Sequence, residues 1–190
     1  MVLMPFTKLS TDEKESLRSI ARDSITYGLQ HGAAMPIALE QYSSLLRQQG
    51  ACFVTLNLNH QLRGCIGTLE AYQPLAKDVA DHAYAAAFQD PRFPPVSEKD
   101  AEQLEIHISI LTAPKAMTFS SQKDLLSQLQ PGIDGLVLSD GYHKGTFLPS
   151  VWEQLPEPVD FLNHLKLKAG LDAHYWSDTI EVSRYQAISV

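Results

Sequence analysis

Apolar residues recur along the first part of the chain with a helical period. Leu17, Ile20, Ala21, Ser24 and Ile25 follow Ser10-Thr-Asp-Glu13, a capping-box pattern, with Leu9 placed to staple the entry and Gly32 to end the helix. A second helix is expected over residues 37–49, with Leu39, Tyr42, Leu45 and Leu46 on one face and Gly50 as its stop. From Ala51 the period drops to two. Val54, Leu56 and Leu58 alternate with Thr55 and Asn57, a polar Asn59-His-Gln61 follows, and residues 62–69 return as the second strand of a β-hairpin. Pro74 opens a third helix through Leu75, Val79, His82, Ala83 and Ala86, ended near Phe88 by Asp90-Pro91 and Pro94-Pro95. Residues 104–111 alternate as a strand that stops at Pro114.

The second half repeats this grammar. Ser120 or Ser121 caps a short helix through Leu129, ended by Pro131-Gly132, and residues 135–138 and 142–148 flank the turn signal Ser139-Asp-Gly141. Residues 159–169 read as a helix stopped by Gly170, and residues 179–188 alternate as a closing strand. Helix, hairpin, helix, strand therefore occurs twice. Two such units can bury their apolar sheet faces, so the expected fold is α+β, a mainly antiparallel sheet with flanking helices. The expected organisation is one domain over residues 1–190, with lobes at 33–115 and 116–190 and an N-terminal helix, 10–31, packed on them.

Composition narrows the function classes. With 190 residues, 44% hydrophobic and 19% charged, the chain is large enough to build a core without disulfide or metal staples. Fifteen Lys+Arg against 22 Asp+Glu give a net charge of −7, which argues against nucleic acid as a partner. Cys52 and Cys65, thirteen positions apart, match no zinc, haem or thioredoxin-like spacing, and reduced thiols fit a cytoplasmic protein. The apolar start, residues 1–6, is cut by Pro5 and is too short for a signal peptide or a membrane span. The seven histidines form no H-x-x-x-H or H-x-H pair, so no metal centre is expected, and His82 reads as facing a packed helix. Serine-hydrolase, P-loop and Rossmann motifs are absent from the sequence, which assigns no cofactor.

The chemistry concentrates in Leu62-Arg-Gly-Cys-Ile-Gly-Thr68, which sets two glycines inside a strand. Strict alternation puts Arg63, Cys65 and Gly67 on one face and Leu62, Gly64 and Ile66 on the other. A guanidinium beside the thiol would favour the nucleophilic thiolate, with Gly67 leaving room for a substrate; alternatively Cys65 is a small buried residue and the glycines serve sheet packing. Cys52 reads as core. Asp90-Pro-Arg-Phe-Pro-Pro95 is a stiff loop that either displays Asp90 and Arg92 to a ligand or pairs them locally. Lys144-Gly145-Thr146 echoes Arg63-Gly64-Cys65 in the second unit.

Leu62-Arg-Gly-Cys-Ile-Gly-Thr68, Ala86-Ala-Phe-Gln-Asp-Pro-Arg-Phe-Pro-Pro95, Gly145-Thr-Phe-Leu-Pro149 and Leu167-Lys-Ala-Gly-Leu171 together resemble the AMMECR domain family over nearly the whole chain. The resemblance implies an α+β domain with internally repeated elements and a binding or active site around Leu62–Gly67. It also implies a pathway shared with a Memo-like protein and a radical-SAM protein, although this chain holds no C-x-x-x-C-x-x-C of its own. Relatives often carry a Cys before the Lys-Ala-Gly-Leu segment, where this chain has Lys166. The leading expectation is an enzyme or enzyme subunit acting on a small anionic or nucleotide-like substrate. Cys65 and Arg63 would be catalytic, and Gly64, Gly67, Asp90, Arg92, Lys144 and Thr146 would line a cleft at the motif. The alternative is a non-catalytic binding or scaffold module for partner proteins.

Overall fold

The computed structural model describes residues 8–190, so the apolar start lies outside the described residues. The fold is α+β with antiparallel sheets and flanking helices. The chain forms two compact units: the described residues up to Leu111 together with Ile188–Val190, and Thr112–Ala187. No helix among the described residues is long and apolar enough to cross a membrane.

In the first unit, helix α1 (Thr11–His31) starts on a complete Ser10/Glu13 capping box and ends at Gly32 in the left-handed conformation that glycine adopts without cost. Strands β1 (Gln49–Leu58) and β2 (Gln61–Gly67) form the expected hairpin. Asn59 and His60 both take positive φ, the conformation a two-residue hairpin turn of matching twist demands. Strand β3 (Gln73–Pro74) leads into helix α2 (Leu75–Phe88), then come a short helix α3 (Glu98–Ala101) and strand β4 (Glu105–Leu111). The sheet order is β2-β1-β4, extended by a last strand, β9 (Ala187–Ser189), with β3 on the flank of β1. Cys52, Val54 and Leu56 of β1 and Ile108 and Ile110 of β4 face a core closed by α1 and α2. The alanines of α2 allow close helix packing, and Ser24 of α1 donates to the Ala80 carbonyl at 2.8 Å.

The helix expected over residues 37–49 does not form. Only a 3-10 turn at Leu39–Gln41 appears, because Tyr42 is extended and the Leu46 N–H, which a helix would bond to the Tyr42 carbonyl, donates instead to Ser43 Oγ at 3.4 Å. The carbonyls of Leu46 and Gln48 accept from the Ala76 and Leu75 N–H groups at 3.0 and 2.8 Å, which satisfies otherwise free donors at the start of α2. Leu45 and Leu46 still reach the core, delivered by turns.

The second unit contains strand β5 (Lys115–Ala116), helix α4 (Gln122–Gln128), hairpin strands β6 (Gly135–Asp140) and β7 (His143–Phe147), a 3-10 turn at Pro149–Glu153, helix α5 (Pro158–Lys168) and strand β8 (Glu181–Tyr185). Its sheet order is β5-β8-β6-β7. Trp152 stacks on Phe161 with ring centroids 3.8 Å apart in a core shared with Leu136, Leu138 and Leu162. The expected single closing strand is divided at Gln186, whose backbone pairs with Thr112 at 2.8 and 2.9 Å. β8 thus serves the second sheet and β9 the first, where Ile108 and Val190 exchange both backbone hydrogen bonds.

The two units share a strand order, hairpin then post-helix strand, and one packing device. In each, the outer hairpin strand places a glycine opposite a buried leucine, Gly64 with Leu56 and Gly145 with Leu138. In each, that glycine is closed off by a helix end: a β-carbon on Gly64 would overlap the Ala86 carbonyl, and one on Gly145 would meet the Ala169 nitrogen at 2.9 Å. Gly64→Ala should therefore cost about 1–3 kcal/mol in urea unfolding, the range for overpacking a filled site. Gly145→Ala, with the milder contact, should cost less, and unchanged midpoints for both would remove close approach as the reason for these glycines.

Candidate functional site

β2 pairs with β1 from Leu58↔Gln61 to Phe53↔Gly67, but the register slips between Leu56↔Gly64 and Asn57↔Leu62. Arg63 is the extra residue of this β-bulge, a device that re-aims a side chain. Strict alternation therefore fails here. Leu62 pairs with Asn57 and so belongs to the face of Thr55 and Cys65, while Arg63 turns to the loop after α2, where its Nη2 donates to the Pro95 carbonyl at 3.2 Å.

β2 is the edge strand, and an unpaired edge needs cover. At Cys65 the Asp90-to-Pro95 loop supplies it. The Cys65 N–H donates to Asp90 Oδ2 at 2.9 Å and the Cys65 carbonyl accepts from Arg92 Nη2 at 3.2 Å. Arg92 grips Asp90 with Nε on Oδ1 at 2.9 Å and Nη2 on Oδ2 at 2.6 Å, and its backbone N–H adds a third bond at 3.1 Å. Asp90 is 4% exposed. The Arg92 side-chain bonds outweigh that burial and, with the Cys65 and Arg92 backbone N–H groups, hold the Asp90 carboxyl well below the usual carboxylate range. The same pairing raises Arg92 further above its ordinary value. Asp90 and Arg92 thus pair locally, as one of the two sequence readings had it.

The Cys65 thiol is half-buried, with Sγ 3.2 Å from Thr55 Oγ1. Thr55 is the cross-strand partner of both Cys65 and His107, so thiol, hydroxyl and imidazole stand in one row across β2, β1 and β4 on the face opposite the helices. Sequence reasoning missed Thr55 and His107; the alternation in each strand marks their face, but only the register aligns them. Gly67 backs onto β1, where a β-carbon would overlap the Cys52 carbonyl and Phe53, so the space beside it is filled by the protein itself. Arg63 differs from Arg92. It has no salt bridge among the described residues, and its Nη1 is buried without a hydrogen-bond partner.

Lys144 and Thr146 lie on β7 of the second unit. Lys144 is exposed, while Thr146 Oγ1 donates to the Leu136 carbonyl at 2.8 Å and contacts the Tyr185 hydroxyl at 3.1 Å. Burial pushes the Tyr185 phenol up to about 12. Lys166, also in this unit, is fully buried. Its Nζ donates to Gln122 Oε1 and the Ala173 carbonyl at 2.9 and 3.2 Å, and desolvation lowers its pKa.

A further cluster occupies the core of the first unit. Cys52, Asp78 and His82, all buried, bring one ligand atom each to within 4.8 Å of one another. His82 Nδ1 lies 3.2 Å from Asp78 Oδ2 and 3.8 Å from Cys52 Sγ. The Cys52 N–H donates to Asp78 Oδ2 at 3.0 Å, and burial, then Asp78, push the Cys52 thiol well up. Cys52 is core, as expected, but the sequence showed neither acid nor imidazole beside it.

The AMMECR1 family model matches residues 18–190. A protein from Methanocaldococcus jannaschii is 35% identical over 159 residues, covering 82% of this chain and 79% of its own length. One from Methanothermobacter thermautotrophicus is 35% identical over 187 residues, 97% of this chain and 96% of its own. The crystal structure of uncharacterized protein PH0010 from Pyrococcus horikoshii superposes with a TM-score of 0.85 at 28% identity, covering 95% of this chain and 92% of that one.

The clamp sets a pH dependence. A carboxyl held below its ordinary value stabilises the fold above about pH 4, and that stability is lost as pH falls through the folded-state value. Asp90→Asn should lower stability at neutral pH by about 1.5–3 kcal/mol, the range for hydrogen bonds to charged groups. It should also flatten the acid limb of stability against pH in urea unfolding. An acid limb as steep as that of the wild type would remove Asp90 as its source.

Proposed function

The chain belongs to the AMMECR1 family, and from that premise we propose that the first unit binds a small anionic ligand, such as a nucleotide-like phosphate or carboxylate, beside Cys65. The observation that carries this reading is Arg63. Asp90 and Arg92 neutralise each other, whereas Arg63 keeps a buried Nη1 with no partner on a bulge that aims it away from its strand. An unpaired buried donor is costly, so a conformation in which Arg63 leaves its cover to meet an anionic oxygen would relieve that cost. Because the bulge ties Arg63 to the Pro95 carbonyl, its guanidinium would swing from that loop to anchor charge, and Cys65, backed by Thr55 Oγ1, would act on the ligand as nucleophile or proton carrier in an enzyme or enzyme subunit.

The Asp90–Arg92 clamp favours a second reading, a non-catalytic binding or scaffold module. All the contacts of Asp90 hold the strand edge and its own loop, and the glycines are filled by backbone. The two readings separate in a screen of small anions with thiol labelling. The catalytic reading predicts that iodoacetamide modifies Cys65 ahead of buried Cys52 and that a bound ligand slows the reaction. It also predicts that Arg63→Gln lowers ligand affinity at least tenfold, about 1.4 kcal/mol, with the fold intact. An unreactive Cys65 and a folded Arg63→Gln variant with undiminished binding would favour the scaffold.

A further inference from the structure

We propose that Cys52, Asp78 and His82 form a metal-binding site in the core of the first unit, suited to Zn²⁺ or a similar borderline-soft divalent ion. The inference is separate from the motif face, since it rests on β1 and α2 and uses neither Arg63 nor Cys65.

Three observations carry it. The first is convergence. Asp78 and His82 stand four residues apart on one face of α2, and Cys52 faces them from the adjoining strand. In a tetrahedral zinc site, ligand bonds of about 2.0–2.3 Å place neighbouring donor atoms about 3.3–3.6 Å apart. Here Nδ1 lies 3.2 Å from Oδ2 and 3.8 Å from Sγ, so small side-chain adjustments close the site around an ion.

The second is the shared nitrogen. In a thiol–imidazole–carboxylate relay the ring bridges its partners through two different nitrogens. In this cluster the oxygen and the sulfur both approach Nδ1. Without a metal the Nδ1 proton and the thiol proton can both turn to the Asp78 carboxylate, whereas one cation would take a lone pair from each of the three residues in their place.

The third is charge. Asp78 is 0% exposed, and no lysine or arginine pairs with it among the described residues. Gln73 Nε2 donates to Asp78 Oδ1 at 3.1 Å, leaving Oδ2 directed at Cys52 and His82. That is the arrangement of an outer partner orienting a ligand. The counter-charge within reach is His82, 3.2 Å from Asp78 when its ring is protonated, and a divalent ion would take that place for carboxylate and thiolate together.

The donor set selects the ion. Thiolate, imidazole and carboxylate in a three-residue site suit zinc; magnesium and calcium take six or more oxygens. Binding converts the Cys52 thiol to thiolate and releases its proton to solvent, with no change of oxidation state. Three protein ligands leave a fourth position for a water. Because the ligands are buried, the ion would enter as the chain folds.

The test is refolding of the full chain in reducing buffer with a chelator, with Zn²⁺ or with Co²⁺. The proposal predicts one equivalent of metal per chain and a higher melting temperature with Zn²⁺ than with chelator. Co²⁺ should give a thiolate-to-cobalt charge-transfer band with tetrahedral ligand-field absorption. Cys65→Ala should keep the band, Cys52→Ala should lose it, and His82→Gln should weaken Co²⁺ binding at least tenfold. Wild-type protein that refolds with equal stability in chelator and in Zn²⁺, and without the band in Co²⁺, overturns the proposal whatever the variants do. So does a band that survives in Cys52→Ala or disappears in Cys65→Ala.

Discussion

The first unit depends on how closely the end of α2 approaches the edge of β2. Gly64 removes the side chain that would collide with the Ala86 carbonyl, and the chain leaving α2 then brings Asp90 to the Cys65 N–H. Arg92 returns to the same carboxylate and to the Cys65 carbonyl, so an edge strand that would present free backbone groups is closed by one acidic and one basic side chain. The prolines that follow hold the loop, and Pro95 presents the carbonyl to which Arg63 is tied. Two separated sequence motifs are therefore halves of one contact.

That contact also divides the charges. The Asp90–Arg92 pair is internally balanced, which removes Asp90 from the list of free acids and bases and leaves Arg63 as the cation of the motif without an ionic partner among the described residues. Cys65 is held by its backbone rather than by its side chain, so the thiol stays available to Thr55 on the polar face. The second unit uses the same close approach at Gly145, but Lys144 pairs in register with Ser139, without a bulge. What sets the first unit apart is the bulge at Arg63 and the clamp beside it.

Most elements were legible from periodicity and punctuation. The Ser10 capping box, the Asn59-His60 turn, the Pro74 start of α2 and the repeated order of elements follow from local rules that tertiary packing did not override. The helix over residues 37–49 does not form because Tyr42 is extended, Ser43 Oγ takes the Leu46 N–H and Gln49 pairs with Pro74, competing bonds that apolar periodicity does not show. The closing strand was misread as one because alternation continues through Gln186 while the pairing partner changes. At the site, the importance of Gly64 and Cys65 was legible, but the register slip that separates Arg63 from them was not. The Cys52–Asp78–His82 cluster was hidden because Cys52 meets the helix pair across 26 and 30 positions, a separation no spacing rule covers.

The bond from the Cys65 amide to Asp90 fastens the loop after α2 to the sheet edge. Amide hydrogen exchange measured residue by residue reads it directly, because an uncovered edge amide exchanges readily while a bonded one is protected. A strongly protected Cys65 amide is expected in the wild type. In Asp90→Ala, which removes the acceptor, that amide should lose protection while Val54 and Leu56, inside the sheet, retain theirs. A Cys65 amide that exchanges freely in the wild type, or is equally protected in the variant, would contradict that role of the bond.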